Sequence, residues 1–459
     1  MSAPLWTIAG VARALGIAGS FPDTAIDFIT QDSRLVKPGC LFVALSGTPS
    51  GGFISSFASA RDGWEFADKA EAAGAAAMIV PHEIAGIRIP QLVVKDTLID
   101  GLWALARAAR ARFKGPVIGL TGSAGKTSTK EFLAAYPNAY ASPSSFNNFW
   151  GVPLTLCNAK PDASLWVVEM GMNQTGEIAR LSELTRPSVA LIVNVQPVHL
   201  EKLGSLEAIR CEKVSIAQGL PQDGVLVLPA DIAAPEWSGK VVRFGDGTEV
   251  RELRHTPQSE SWLIAAQLGA AQIEFSLTPG APHRVHNALA ALASIHAAGL
   301  DAAALAAQLD RVGIMTGRGV EQTVAGVTVI DDSFNGNPAS MAAALESLQA
   351  RHMTGGRRIA VLGDMLELGG DAPAYHKDIA RHLAGIDGIY CVGPLMRNLY
   401  ELLPAAKGLG WHDDPVTLRP QDVAGLLKAG DVVVVKGSKK MFWVNKFVPG
   451  LVAALQAKA

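Results

Sequence analysis

Short apolar runs rich in branched residues recur along this chain, and stretches of helical composition separate them. GCLFVAL (39–45), AAMIV (76–80) and QLVVKD (91–96) alternate with ADKAEAAGA (67–75), a succession that predicts a small α/β unit. LIDGLWALARAARARF (98–113) reads as a helix leading to Lys114-Gly115-Pro116, a natural boundary. PVIGL (116–120), LWVVEMG (165–171) and VALIVNV (189–195) have the unbroken apolar character of buried parallel strands. A third unit holds VTVIDD (327–332), RIAVLGD (358–364), GIYCVG (388–393) and DVVVVKG (431–437). The expected fold class is α/β in three domains, residues 1–114, 115–315 and 316–459, with a mostly parallel central sheet.

Composition narrows the setting. The 459 residues, 49% hydrophobic and 18% charged, can fill several cores. A net charge of −2 gives no polyanion-binding surface, so no nucleic-acid partner is expected. Cys40, Cys157, Cys211 and Cys391 form no C-x-x-C pair, which argues against a zinc site or disulfide framework and for small buried or semi-buried residues in a reducing compartment. No basic segment followed by an apolar core opens the chain, and no apolar run reaches spanning length. The expectation is a cytoplasmic protein without stable membrane insertion.

Candidate chemistry begins at T-G-S-A-G-K-T, residues 121–127, between PVIGL and the helical TSTKEFLAAY. Strand, Gly-rich turn and helix aim free N–H groups and a helix dipole at an anion. The loop residues Gly122, Ser123, Ala124, Gly125, Lys126, Thr127 and Ser128 are therefore the candidate nucleotide-binding set. Lys126 would reach the β- and γ-phosphates and the Thr127 hydroxyl the accompanying Mg²⁺. Ligands of open α/β sheets gather beyond the carboxyl ends of strands. Polar residues end the runs here: Glu169, His199 a little after VALIVNV, Asp331 and Asp332, Asp364, and Lys436. Glu169 could hold Mg²⁺ opposite Thr127.

The chain resembles the ATP-dependent Mur ligases of peptidoglycan synthesis over nearly its whole length. T-G-S-A-G-K-T, N-N-F-W-G-V-P-L-T-L (147–156), E-M-G (169–171), H-L-E (199–201) and N-A-L-A-A (287–291) carry the resemblance. I-D-D-S-F-N-G-N-P (330–338), V-L-G-D-M-L-E-L-G (361–369) and K-G-S (436–438) are most similar to the branch that adds D-alanyl-D-alanine to a UDP-N-acetylmuramoyl-tripeptide. It implies a UDP-sugar-binding N-terminal domain, a central P-loop ATPase domain and a mobile C-terminal Rossmann-like domain, with ATP and Mg²⁺ as cofactors and a monomeric enzyme.

The same resemblance implies roles for single residues. Glu169 and His199 match metal residues, and Lys213 matches a lysine that reacts with CO₂ to form a metal-binding carbamate. Asn148 falls in a substrate-side motif and Asn287 matches an adenine-contacting Asn. Arg318 and Asp332 match residues that reach the phosphates and ribose when the last domain closes. Asp32, Ser33 and Arg34 match an element for the UDP-sugar end. The implied catalytic set is Lys126, Lys213 and His199.

Departures from the family pattern are Trp64 for a His, extra residues from about Pro49 to Ala60, Arg284 for an Asn, Phe334 for a Tyr and Lys439 for an Arg. Among rival functions, the D-N-P-R of a diaminopimelate-adding sister ligase and the D-G-A-H-N-P of a folate-glutamylating one are missing. The N-K-x-D of a guanine-nucleotide switch is also missing. A kinase would leave the C-terminal matches unexplained.

Overall fold

The computed structural model describes residues 4–53, 59–258, 261–280, 283–353 and 355–458. A short antiparallel pair, Trp6–Thr7 with Ala25–Ile26, precedes a sheet of four parallel strands, Phe28–Thr30, Cys40–Val43, Ala77–Val80 and Gln91–Val93. The next, nine-stranded sheet places Val117–Thr121 between Leu165–Glu169 and Val189–Ile192, all parallel. This order sets the glycine loop, Glu169 and the segment leading to His199 at neighbouring strand ends. The third sheet places Val432–Lys436 between Val327–Asp332 and Arg358–Gly363, which brings Lys436 level with Asp332.

The far side of the central sheet departs from the expectation of buried parallel strands alone. Val250–Pro257, Trp262–Leu268 and Ala271–Leu277 form an antiparallel meander. Their inward positions, such as Ile264, Ala266 and Leu268, alternate with more exposed ones, so no unbroken apolar run marks them. The helical stretch before Lys114 is one continuous segment, a π-helical Thr97–Trp103 running into the α-helix Ala104–Arg112.

Packing joins the units unequally. One apolar core runs from Trp6, Ile29 and Leu41 through Trp103 to Phe149, Leu156, Trp166 and Ile178. Trp6 Nε1 donates to the Cys157 carbonyl at 3.0 Å and Trp103 Nε1 to the Phe149 carbonyl at 2.7 Å, so both indoles are satisfied inside it. Each large side chain buried there contributes about 1.5–3 kcal/mol over its exposed state, which makes this joint stiff. The C-terminal sheet has its own two cores, and among the described residues Leu200 is the central residue that packs against one of them. The contacts that dock it are mostly polar. Cys40, Cys157 and Cys391 are buried as expected, whereas Cys211 is exposed on a helix face with its thiol 3.4 Å from Glu207.

Candidate active site

The glycine loop turns the chain out of Val117–Thr121 into the helix Lys126–Ala134. Gly125 has φ +74°, and a Cβ there would lie 2.6 Å from Asn287 Oδ1, so glycine is required twice over. The first amides of a helix lack intrahelical partners, which leaves those of Lys126, Thr127 and Ser128 for an anion. The amides of Ser123 and Ala124 are already spent on Asn194 Oδ1, at 3.1 and 2.9 Å. Lys126 Nζ folds back onto the Gly122 carbonyl at 2.6 Å. Burial lowers its pKa, and the negative charge of Glu169 opposes that shift.

Glu169 is fully buried at the end of its strand. Its Oε1 accepts from Asn147 Nδ2 at 2.7 Å, while Oε2 has no hydrogen-bond partner among the described residues. An unpartnered buried carboxylate oxygen is costly unless a cation meets it. With the Thr127 hydroxyl, it offers the hard oxygen donors that Mg²⁺ prefers. Lys213 lies on the helix Leu206–Val214, is buried, and makes no hydrogen bond through its amine among the described residues. Burial first, and the charge of Lys126 second, push its pKa well below the usual lysine value. His199 precedes the short helix Leu200–Leu203 in left-handed backbone, φ +55°, and its Nδ1 pairs with the Glu367 carboxylate of the C-terminal unit.

The C-terminal unit also reaches the loop itself. Arg318 Nη2 donates to the Thr127 hydroxyl at 3.1 Å, and its guanidinium lies 4.2 Å from the centre of the Phe334 ring. Asp332 accepts from Lys436 Nζ at 2.7 Å; burial raises the Asp332 pKa against the lowering pull of that ammonium. Asn287 is buried against Gly125, and its Nδ2 donor has no hydrogen-bond partner among the described residues. Ser128 lines a narrow crevice with Glu131, His283, Arg284, Ile314 and Arg318.

Residues 120–295 match the Mur ligase middle domain, and residues 318–439 match the Mur ligase glutamate ligase domain. UDP-N-acetylmuramoyl-tripeptide--D-alanyl-D-alanine ligase of Escherichia coli K12 is 34% identical over 439 residues, 91% of this chain and 92% of the relative. The chain belongs to the Mur ligase family. The Bacillus subtilis protein of the same name is 33% identical over 92% of each chain. Among solved structures, MurF from Acinetobacter baumannii has a TM-score of 0.83 at 27% identity and covers 98% of this chain and 99% of its own. MurF ligase from Thermotoga maritima in complex with ADP has a TM-score of 0.78 at 26% identity and covers 96% of this chain and 100% of its own.

Within this Mur ligase some residues stand apart from the loop. Asp32 caps the turn Ser33–Leu35, and its carboxylate holds the exposed Arg34 guanidinium at 2.7 Å, a self-closed turn with no hydrogen bond to the loop among the described residues. The Asn148 carboxamide accepts from the Gly151 amide at 2.9 Å and so starts the helix Gly151–Asn158; its neighbour Asn147 is the one that reaches Glu169. Trp64 stands edge-on to His82 at 5.9 Å. Of the extra residues near Pro49 to Ala60, residues 54–58 lie outside the described ones.

The departures acquire local roles. Phe334 keeps the ring that carries Arg318, and Lys439 also lies over it at 5.2 Å. Arg284 donates to the Val312 carbonyl at 2.9 Å, at the start of the segment leading to Arg318. Two strand-end carboxylates are structural. Asp331 accepts from the Ser333 hydroxyl, and Asp364 accepts from the Leu395 and Met396 amides at 3.1 and 2.7 Å, with burial raising it to about 6. Sequence reasoning missed Asn147, Asn194 and Glu367. All three sit inside motifs it had already quoted, N-N-F-W, VALIVNV and V-L-G-D-M-L-E-L-G, but nothing in the pattern says which polar residue of a motif turns inward or toward another unit.

Proposed function

We propose that this protein is an ATP-dependent amide ligase that joins D-alanyl-D-alanine to UDP-N-acetylmuramoyl-tripeptide in peptidoglycan precursor synthesis, releasing ADP and inorganic phosphate. The observation that carries the reading is that Arg318, from the C-terminal unit, meets Thr127 of the phosphate loop in a chain related over nine-tenths of its length to ligases of that name. A carboxylate is a poor electrophile at neutral pH. In this reading the terminal carboxylate of the tripeptide attacks the γ-phosphate, giving an acyl phosphate and ADP. The dipeptide amine then attacks the carbonyl, and phosphate leaves the tetrahedral intermediate.

The residues divide the work. The loop from Gly122 to Ser128 cradles the phosphates, and Lys126, released from the Gly122 carbonyl, meets charge building on the γ-phosphate. Thr127, Glu169, His199 and the carbamate of Lys213 hold Mg²⁺. When bound, the ion neutralises phosphate charge and so allows two anions to approach. An ammonium at Lys213 would be repelled there, whereas a carbamate supplies oxygen ligands; the lowered pKa supports the neutral amine that CO₂ requires. Asn287 contacts adenine, while Arg318 and Asp332 reach the phosphates and ribose.

Docking of the C-terminal unit also keeps water from the acyl phosphate. Asp32, Ser33, Arg34 and Asn148 belong to the substrate side. The divisions at residues 114 and 315 are part of the same proposal, supported by strands that group at 28–93, 117–277 and 320–436. So are a monomeric state and a cytoplasmic location; among the described residues no helix is long and apolar enough to cross a membrane.

The test is phosphate release with ATP, D-alanyl-D-alanine and a panel of UDP-linked peptides ending in diaminopimelate or lysine. Turnover to ADP and phosphate only when both acceptor and tripeptide are present is expected. Formation of AMP and pyrophosphate would rule the reading out.

A further inference from the structure

The segment V-L-G-D-M-L-E-L-G sends one side chain out of the C-terminal unit and into the central one. The Glu367 carboxylate accepts from His199 Nδ1, a residue 168 positions earlier, and the Glu367 carbonyl accepts from the Glu201 amide at 3.1 Å. Both partners of the side-chain pair sit in left-handed backbone, His199 at φ +55° and Glu367 at φ +64°. Neither is a glycine, so each costs conformational free energy that the fold must offset, a pattern that clusters where geometry serves function. Gly369, at φ +67°, comes close to the Glu201 backbone; a Cβ there would lie 3.3 Å from Glu201 Cα. Leu200 packs beside the same contact against the C-terminal core. The turn after VALIVNV and the turn after the strand Arg358–Gly363 are therefore shaped to each other.

A histidine whose Nδ1–H is held by a carboxylate has its tautomer fixed and its Nε2 lone pair left for a cation. We infer that Glu367 is a positioning residue that couples docking of the C-terminal unit to the metal site: it presents His199 Nε2 to the ion only when the two units meet. The inference rests on the reading of His199 as a Mg²⁺ ligand. A simple docking ion pair would need neither strained backbone on both sides nor a histidine. Arg318 reaches Thr127 from the same unit, so one docking movement would supply both an arginine at the loop and an oriented ligand at the metal.

The experiment uses the full chain with Mn²⁺ and the non-hydrolysable β,γ-imido analogue of ATP. Pulsed electron paramagnetic resonance reads the ¹⁴N coupling of a directly bound imidazole, calorimetry reads Mn²⁺ affinity, and small-angle X-ray scattering follows docking. The wild-type protein is expected to show the coupling and His199→Ala to lack it. Glu367→Ala should lose most of the coupling and bind Mn²⁺ about 10- to 100-fold more weakly. Glu367→Gln, which keeps an acceptor oxygen, should fall between the two. Glu367 is partly exposed, with 41% of its side-chain surface accessible, so these variants are expected to fold. A Glu367→Ala protein with wild-type coupling and affinity overturns the inference and leaves the reading of His199 intact. Coupling that persists in His199→Ala overturns that reading and the inference with it.

Discussion

Arg318 and Thr127 lie 191 positions apart in the chain, yet the guanidinium donates to the hydroxyl at 3.1 Å. The arginine is held over the Phe334 ring, and burial lowers its pKa while Glu169 and Asp332 pull it back up. A guanidinium at the phosphate loop would, with nucleotide bound, face charge that develops on the phosphates. Arg318→Ala should lower kcat about 10²- to 10³-fold, the size of a lost transition-state donor, with a smaller change in ATP binding. Steady-state kinetics with both substrates, alongside calorimetric ATP binding, checks this; an unchanged kcat would remove Arg318 from the chemistry.

Asn147 fixes Glu169 from within a braced loop. Lys130, almost fully buried, spends its three donors on the Ser142 carbonyl at 2.8 Å, the Ser144 carbonyl at 2.6 Å and Glu131 at 2.8 Å, and Ser142 Oγ accepts from the Glu169 amide at 3.0 Å. Asn147→Ala frees Glu169 to turn. It should raise the Mg²⁺ concentration needed for half-maximal rate about tenfold, as expected for a lost hydrogen bond to a charged group. A Mg²⁺ titration of the rate with an unshifted midpoint would show that Asn147 leaves Glu169 where it was.

How much of this could be read from sequence follows from where the information sits. Strand ends such as Glu169 and Lys436 are legible because a buried parallel strand is an unbroken apolar run that a polar residue must close. The meander at 250–277 is not, because its strands alternate and carry charges such as Arg251, Glu252 and Arg254. Within the site, the glycines, Lys126 and Thr127 follow from local backbone geometry. Glu367 does not, since its partner comes from another unit and only the docked chain puts them together. Asp364 looked like Asp332 from sequence alone, but adjacent loop amides claim it.

Lys213 tests the carbamate. Lys213→Ala should lose most activity and recover part of it when short carboxylic acids are supplied, because they can replace the missing oxygen ligands. Depleting CO₂ should slow the wild-type enzyme and leave the rescued variant unaffected. Near-normal turnover of Lys213→Ala in CO₂-depleted buffer would make Lys213 a buried structural lysine.

The N-terminal unit is held to the central one partly by Phe53, which stacks on Phe149 at 5.0 Å and carries the Arg180 guanidinium at 3.8 Å. Arg180 also donates to the Gly51 carbonyl at 2.8 Å, and Gln174 to the Gly52 carbonyl at 2.8 Å. This clasp would set where a UDP-bound substrate lies relative to Glu169, which precedes Gln174 by five residues and accepts from Asn147, two residues before Phe149. Phe53→Ala should raise the KM for the UDP-linked tripeptide about tenfold, from lost stacking and cation–π contact, with kcat and the KM for ATP little changed. A KM equal to that of the wild type would show that the clasp does not position substrate.

The acyl phosphate is the centre of the account, and oxygen tracing tests it most directly. The UDP-linked tripeptide is labelled with ¹⁸O in its terminal carboxylate and turned over with ATP and D-alanyl-D-alanine. The carboxylate oxygen that attacks phosphorus stays with phosphorus when the amine displaces phosphate. One ¹⁸O should therefore appear in each inorganic phosphate, with the other retained in the new amide. Inorganic phosphate free of label, or label found in AMP, would contradict the mechanism.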